Sequence, residues 1–167
     1  MSPNEVLPVS ALQPDALREL LARYQLQLEV VADGQAIPGS FWGDSEAGLI
    51  ANRLIVRPDT PVHSLLHEAC HYICMSPDRR MGLHTNAGGD YAEENAVCYL
   101  QILLAAQLPP LNPLRLMADM DTWGYSFRLG SARAWFEQDA EDARHWLIRH
   151  ALIDADGKPT GKLRVDA

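Results

Sequence analysis

The sequence predicts a single α+β domain, and three observations carry that reading. Short extended runs at residues 26–31 and 49–56 ask for strands. Longer stretches on either side place apolar residues at helical spacing. A chain of 167 residues, 47% of them hydrophobic, buries a continuous core as one unit without disulfide support.

The elements follow in order. Pro14 suits a first helical turn, and Leu17, Leu20 and Leu21 recur at helical spacing, so a short helix is expected over residues 14–24. Leu26, Leu28 and Val30 alternate with their neighbours before an Asp33-Gly34 turn. With residues 49–56 this makes two strands of a small sheet, with room for a third around Phe41. Asp59-Thr60-Pro61 reads as a cap followed by a first-turn proline, opening a helix that runs to about residue 75. Ser76-Pro77-Asp78 ends it, and the stretch to Gly89 reads as a loop with little regular structure. A second strong helix is expected over residues 90–107, stopped by Pro109-Pro110. A short helical piece at 112–119 and an aromatic turn at 123–127 precede an amphipathic helix, capped by Ser131, that continues to about residue 150. The core therefore spans about 14–150 of a single domain over 1–167. Residues 154–167 read as a loosely held polar tail, with Asp154-Ala155-Asp156-Gly157 a turn that lacks the downstream Glu of a calcium loop.

Charge and composition exclude several classes. Fourteen Lys and Arg against 22 Asp and Glu give a formal net charge of -8, and no basic stretch is present that could neutralise a phosphate backbone, so nucleic acid is not an expected partner. No window approaches the roughly 18 apolar residues of a membrane span, and the first ten residues do not resemble a secretory signal. Cys70, Cys74 and Cys98 are odd in number and sit in apolar helical patterns, which fits a reducing compartment. A cytoplasmic location is expected.

The residues that carry chemistry are His67-Glu68-Ala69-Cys70-His71, an H-E-x-x-H pattern on a predicted helix. Positions four apart project from one face a turn apart, so two imidazoles can reach one ion. Glu68 points along a neighbouring direction and can take a proton from water without occupying a coordination position. With 6 His in the chain, a shuffled sequence of this composition shows the pattern roughly 1% of the time, so chance is disfavoured. Val62, Leu66, Ala69 and Ile73 form an apolar stripe opposite the two histidines, yet Glu68 is the only formally charged residue from 61 to 75. A solvated face would carry more charge, so this helix is expected to be covered on both sides.

Catalytic zinc takes three protein ligands and leaves a position for water. The following helix offers the third. Glu93 heads the stripe Val97, Leu100 and Leu104 and would be directed inward, where only pairing or metal binding tolerates a carboxylate. Glu94, one position round, is the alternate third ligand. Both also suit a first helical turn through the helix dipole alone. His84 and Asp90 are weaker rivals.

These pieces resemble the ImmA/IrrE-type zinc metallopeptidases: a helix with H-E-x-x-H, a Gly-bearing connection, then Glu93-Glu94-Asn95-Ala96 and Leu103-Leu104 leading to Pro109-Pro110. The upstream order of a helix, strands including the 48–57 run and the H-E-x-x-H helix is similar too. The resemblance covers about residues 14–110. It departs at Val97, where the family shows Asn or Asp, and at Cys70, where Gly commonly precedes the second histidine, which places the chain in a divergent branch. It implies a zincin-like domain, with a small sheet packed against the H-E-x-x-H helix and further helices closing the cleft. It also implies a gluzincin arrangement with Zn2+ held by His67, His71 and Glu93, and Glu68 as general base.

The expected activity is zinc-dependent hydrolysis of an amide bond in a peptide or protein. Tyr91, Tyr125 and His145 are candidates to steady the oxyanion, and Trp123 and Tyr125 could line the cleft, although each such residue also suits simple packing. Cys70 points off the shared face and reads as a small buried hydrophobe. Two rivals remain: a regulatory or binding module that keeps the metalloprotease fold without turnover, and a helix whose motif is accidental. Glu68 argues against the first, because a structural metal site needs no base.

Overall fold

Pro14 presets the first turn of α1 (Pro14–Arg23), and Leu17, Leu20 and Leu21 turn its apolar face inward, where all three are buried. In the computed structural model, which describes residues 6–39, 46–83 and 88–166, α1 leads into β1 (Gln27–Val30). The second extended run is two strands, β2 (Gly48–Ile50) and β3 (Arg53–Val56). Ala51, at φ +52°, turns the chain between them, which alternation of apolar residues does not reveal. The sheet order is β1-β3-β2, with β1 parallel and β2 antiparallel to β3. The third strand is therefore β2; the strand considered around Phe41 falls outside the described residues.

α2 (Val62–Cys74) packs on β2 and β3 on one side and on α4 (Tyr91–Leu104) on the other, so Leu65, Leu66, Ala69 and Ile73 are almost fully buried. Its start differs from expectation. Pro61 is the N-cap and makes no side-chain cap, while the Thr60 hydroxyl accepts the Arg57 N–H at 2.8 Å and so closes the preceding turn. The exposed donors at this end meet the N-terminal segment instead: Val62 N–H donates to the Leu7 carbonyl at 2.9 Å, and Val9 N–H to that of Thr60 at 2.8 Å. Ser64 Oγ accepts the Ala47 N–H at 2.9 Å and ties the approach to β2 onto α2.

The C-terminal carbonyls of α2 would be orphaned without partners. Two arginines supply them. The stretch expected as loop contains α3 (Pro77–Met81), whose Arg80 donates to the carbonyls of Tyr72 at 2.7 Å and Met75 at 2.8 Å. Arg164 donates from its backbone to Ile73 at 3.0 Å and from its guanidinium to Cys74 at 3.2 Å, and its own carbonyl accepts from Arg80 at 2.6 Å. The expected loose tail is therefore docked. Polarity alone does not loosen a segment that carries the donors a buried helix end lacks. The Asp154 turn forms as expected, its carboxylate accepting the N–H groups of Asp156 and Lys158.

Asp90 caps α4 by accepting the Glu93 N–H, and a 3-10 turn over Ala105–Gln107 carries the helix to its predicted end. Asn112 caps α5 (Pro113–Trp123), a turn longer than predicted, and Gly124 closes it at φ +112°. The last helical stretch is two pieces, α6 (Ala132–Gln138), capped by Ser131, and α7 (Glu141–Arg149), which covers the remaining side of α4. Among the described residues no helix is long and apolar enough to cross a membrane.

Candidate metal centre

Helical spacing on α2 brings His67 and His71 together with Nε2 atoms 3.1 Å apart and rings nearly perpendicular. The first turn of α4 crosses above them. Glu94 presents Oε1 to His67 Nε2 at 2.9 Å and Oε2 to His71 Nε2 at 3.1 Å. Nitrogen lone pairs facing each other at this separation repel unless a proton or a cation lies between them. A proton serves one nitrogen, whereas a divalent cation serves all three groups. Ligands about 2.0–2.1 Å from a tetrahedral zinc stand about 3.3 Å apart, close to the size of this triangle.

The tautomer of His67 follows from its other side. Gln101 Nε2 donates to the His63 carbonyl at 3.1 Å, which turns Gln101 Oε1 toward His67 Nδ1 at 2.7 Å. Nδ1 must then carry a hydrogen, so Nε2 is the nitrogen turned to Glu94 and His71: without a cation it holds a proton on that carboxylate, and a metal taking the proton's place would find its lone pair already aimed. A different group on α4 also suits a metal: a ring nitrogen of His67, a carboxylate oxygen of Glu94 and Cys98 Sγ lie within 4.8 Å of one another, so these three could hold an ion.

The favoured third ligand of the sequence reading, Glu93, is elsewhere. It is buried as expected, but it pairs bidentately with Arg79, at 2.7 Å for both oxygens, and with Arg164 at 3.3 Å. Pairing rather than metal satisfies its inward carboxylate, and the alternate, Glu94, faces the imidazoles. Gly89 is required here: a Cβ at its φ of +101° would strike the Glu93 carboxylate.

His67 and Glu94 open on a cleft of about 360 Å³ that Glu46, His63, Glu68, Trp123 and Tyr125 also line. Burial pushes the Glu68 carboxyl above its ordinary value, only partly offset by His71 and His67. Burial works the same way on Glu94, but hydrogen bonds from both imidazoles outweigh it and hold that carboxyl well below the usual range. For His67, burial disfavours the charge, yet Tyr125, Cys98 and Glu94 together keep its pKa well above 6.5. Burial and the neighbouring His67 lower His63 to about 3, and burial raises Tyr125 to about 12, so the first is neutral and the second a protonated phenol near pH 7. Tyr125 Oη lies 3.2 Å from His63 Nδ1.

Of the remaining sequence candidates, Trp123 and Tyr125 line the cleft, whereas Tyr91 is 74% exposed and lines a neighbouring cavity instead. His145 pairs with Glu141 on the surface of α7, Asp90 is the α4 cap, and Cys70 is buried. His84 lies outside the described residues. Cys98, Gln101, His63 and Glu46 were not singled out by sequence. A signal existed for the first three: Glu94, Cys98 and Gln101 sit four and three residues apart on an otherwise apolar helix, and His63 stands one turn before His67.

No protein-family model matches the chain, and no curated protein or solved structure matches it at a significant level, so the functional reading rests on the residues themselves.

Proposed function

We propose that the chain is a zinc-dependent hydrolase of the metallopeptidase type, with His67, His71 and Glu94 as the protein ligands and Glu68 as the general base. One observation carries this reading: two Nε2 atoms and a carboxylate meet within 2.9–3.1 Å at a cleft that Glu68 also lines. Zinc bound there would supply Lewis-acid activation of water and of a substrate carbonyl. Glu68 receives the proton that the attacking water gives up, and a carboxyl held above its ordinary pKa passes it on more readily to a leaving amine. Tyr125, protonated and at the cleft wall, donates to the oxygen that gains charge. Gln101 holds His67 in the tautomer that ligation needs.

The substrate is a peptide or protein segment in a cleft between the H-E-x-x-H helix and the Trp123 to Tyr125 turn, and the chain works in the cytoplasm. The resemblance to ImmA/IrrE-type peptidases then holds at the paired histidines and at Glu68 and shifts by one residue at the third ligand. Glu68→Gln tests the reading: it keeps one zinc per chain, measured by elemental analysis after dialysis, and loses hydrolysis of a mixed peptide library by about 100-fold or more. Unchanged hydrolysis in Glu68→Gln, or a dialysed native chain without zinc, defeats the proposal. The alternative, a metal-holding regulatory or binding module, is favoured by Cys98, which offers a further protein donor beside the site.

A further inference from the structure

We infer that Cys98 is a fourth protein donor to the ion held by His67, His71 and Glu94, and that its sulfur occupies the position water needs, so that the resting centre is closed. The inference rests on the metal reading above and concerns how that centre is regulated.

The placement carries it. Cys98 lies one turn after Glu94 and three residues before Gln101, so three successive polar side chains of α4 face the same imidazole. Its Sγ, a ring nitrogen of His67 and a carboxylate oxygen of Glu94 all lie within 4.8 Å of one another. A buried thiol in an apolar setting is ordinarily a packing group, and Cys70 and Cys74, both fully buried on α2, fit that description. Cys98 differs in being buried against a metal-ligating pair while also lining a second cavity of about 240 Å³, bounded by Tyr91, Phe127 and Trp135, that meets the main cleft at Glu94 and Tyr125. That cavity gives the sulfur somewhere to go. Thiolate bonds zinc at about 2.3 Å, and four protein donors are the pattern of a closed site, three with water that of an open one. On ligation the thiol proton passes to solvent, and no electron is transferred. When the side chain swings into the second cavity, the fourth position falls open to water beside Glu68.

Cobalt(II) substitution reads this directly, without activity. The native chain loaded with one equivalent of Co2+ should show the near-ultraviolet sulfur-to-cobalt charge-transfer band and an intense tetrahedral visible spectrum. Cys98→Ser should bind Co2+ and lose the band. Acetohydroxamate, which needs an open position, should perturb the Cys98→Ser spectrum at concentrations that leave the native spectrum unchanged. X-ray absorption of the native zinc form should find one sulfur neighbour, a check that requires no variant to fold. Stoichiometric cobalt with no charge-transfer band, or a band that survives in Cys98→Ser, overturns the inference and leaves the hydrolase reading standing. A native chain that binds no cobalt overturns both.

Discussion

Two carboxylates adjacent in sequence at the start of α4 lead opposite lives. Glu93 is buried between the guanidinium groups of Arg79 and Arg164, which hold it by charge-assisted hydrogen bonds. Glu94 has a side chain 46% exposed and rests between two imidazoles, whose charge a metal or a proton can exchange. The contrast shows how one helical turn serves two purposes. The Glu93 cluster pins α3, α4 and the C-terminal segment together, and the rigid frame so formed sets Glu94 against α2.

The two sites should therefore break differently. The largest expected effect is Glu93→Ala, which leaves two guanidinium groups facing a void. With Arg79 about a third exposed, the loss should sit near the low end for breaking a buried pair, about 3 kcal/mol, read from denaturant unfolding of the metal-free chain. Zinc stoichiometry in the folded fraction should be retained. Glu94→Gln should invert that outcome: stability of the metal-free chain should move by less than about 1 kcal/mol, because the Glu94 carboxylate is nearly half in solvent and an amide can still accept from an imidazole. Zinc affinity should fall by about 100-fold or more, at least what loss of an outer partner of a ligand brings. Titration against a competing chelator measures it, and equal zinc affinity in Glu94→Gln and the native chain would restore Glu93 as a contender.

Gln101→Leu should weaken zinc by roughly 10–100-fold while leaving all three ligands in place, because His67 loses the acceptor that fixes its tautomer. The same titration reads it, and unaltered affinity would show that the ring needs no such guide. The effect smallest at any one pH step, because it is spread across several pH units, concerns His63. Its folded pKa of about 3 lies below the 6.5 of an ordinary histidine, so between those values the unfolded chain takes a proton that the native chain refuses. Stability should fall with decreasing pH across that window, by up to about 1.4 kcal/mol per pH unit, with no penalty above it. His63→Asn should flatten this part of the metal-free stability profile; a parallel profile would mean that His63 charges freely in the folded state.

Much of the frame was legible because it is local. α1, α2 and α4 follow from apolar spacing and their flanking prolines, and the His67 and His71 pair from a four-residue repeat that any α-helix converts into a shared face. Elements set by a single backbone angle or a distant partner were not legible. Ala51 divides one apolar run into β2 and β3, and Arg164 docks the tail by reaching carbonyls 90 or so residues away.

The choice between Glu93 and Glu94 shows the boundary most clearly. Sequence by itself determined that two imidazoles and a neighbouring carboxylate share a helix, since that needs only the geometry of one segment. Which carboxylate meets them depends on how α4 is rotated about its own axis, about 100° per residue. Because α4 is packed between α2 and α7, apolar residues cover most of its circumference and its stripe does not report that rotation. The tertiary structure decided it, through the arginines that claim Glu93 and leave its neighbour facing the histidines.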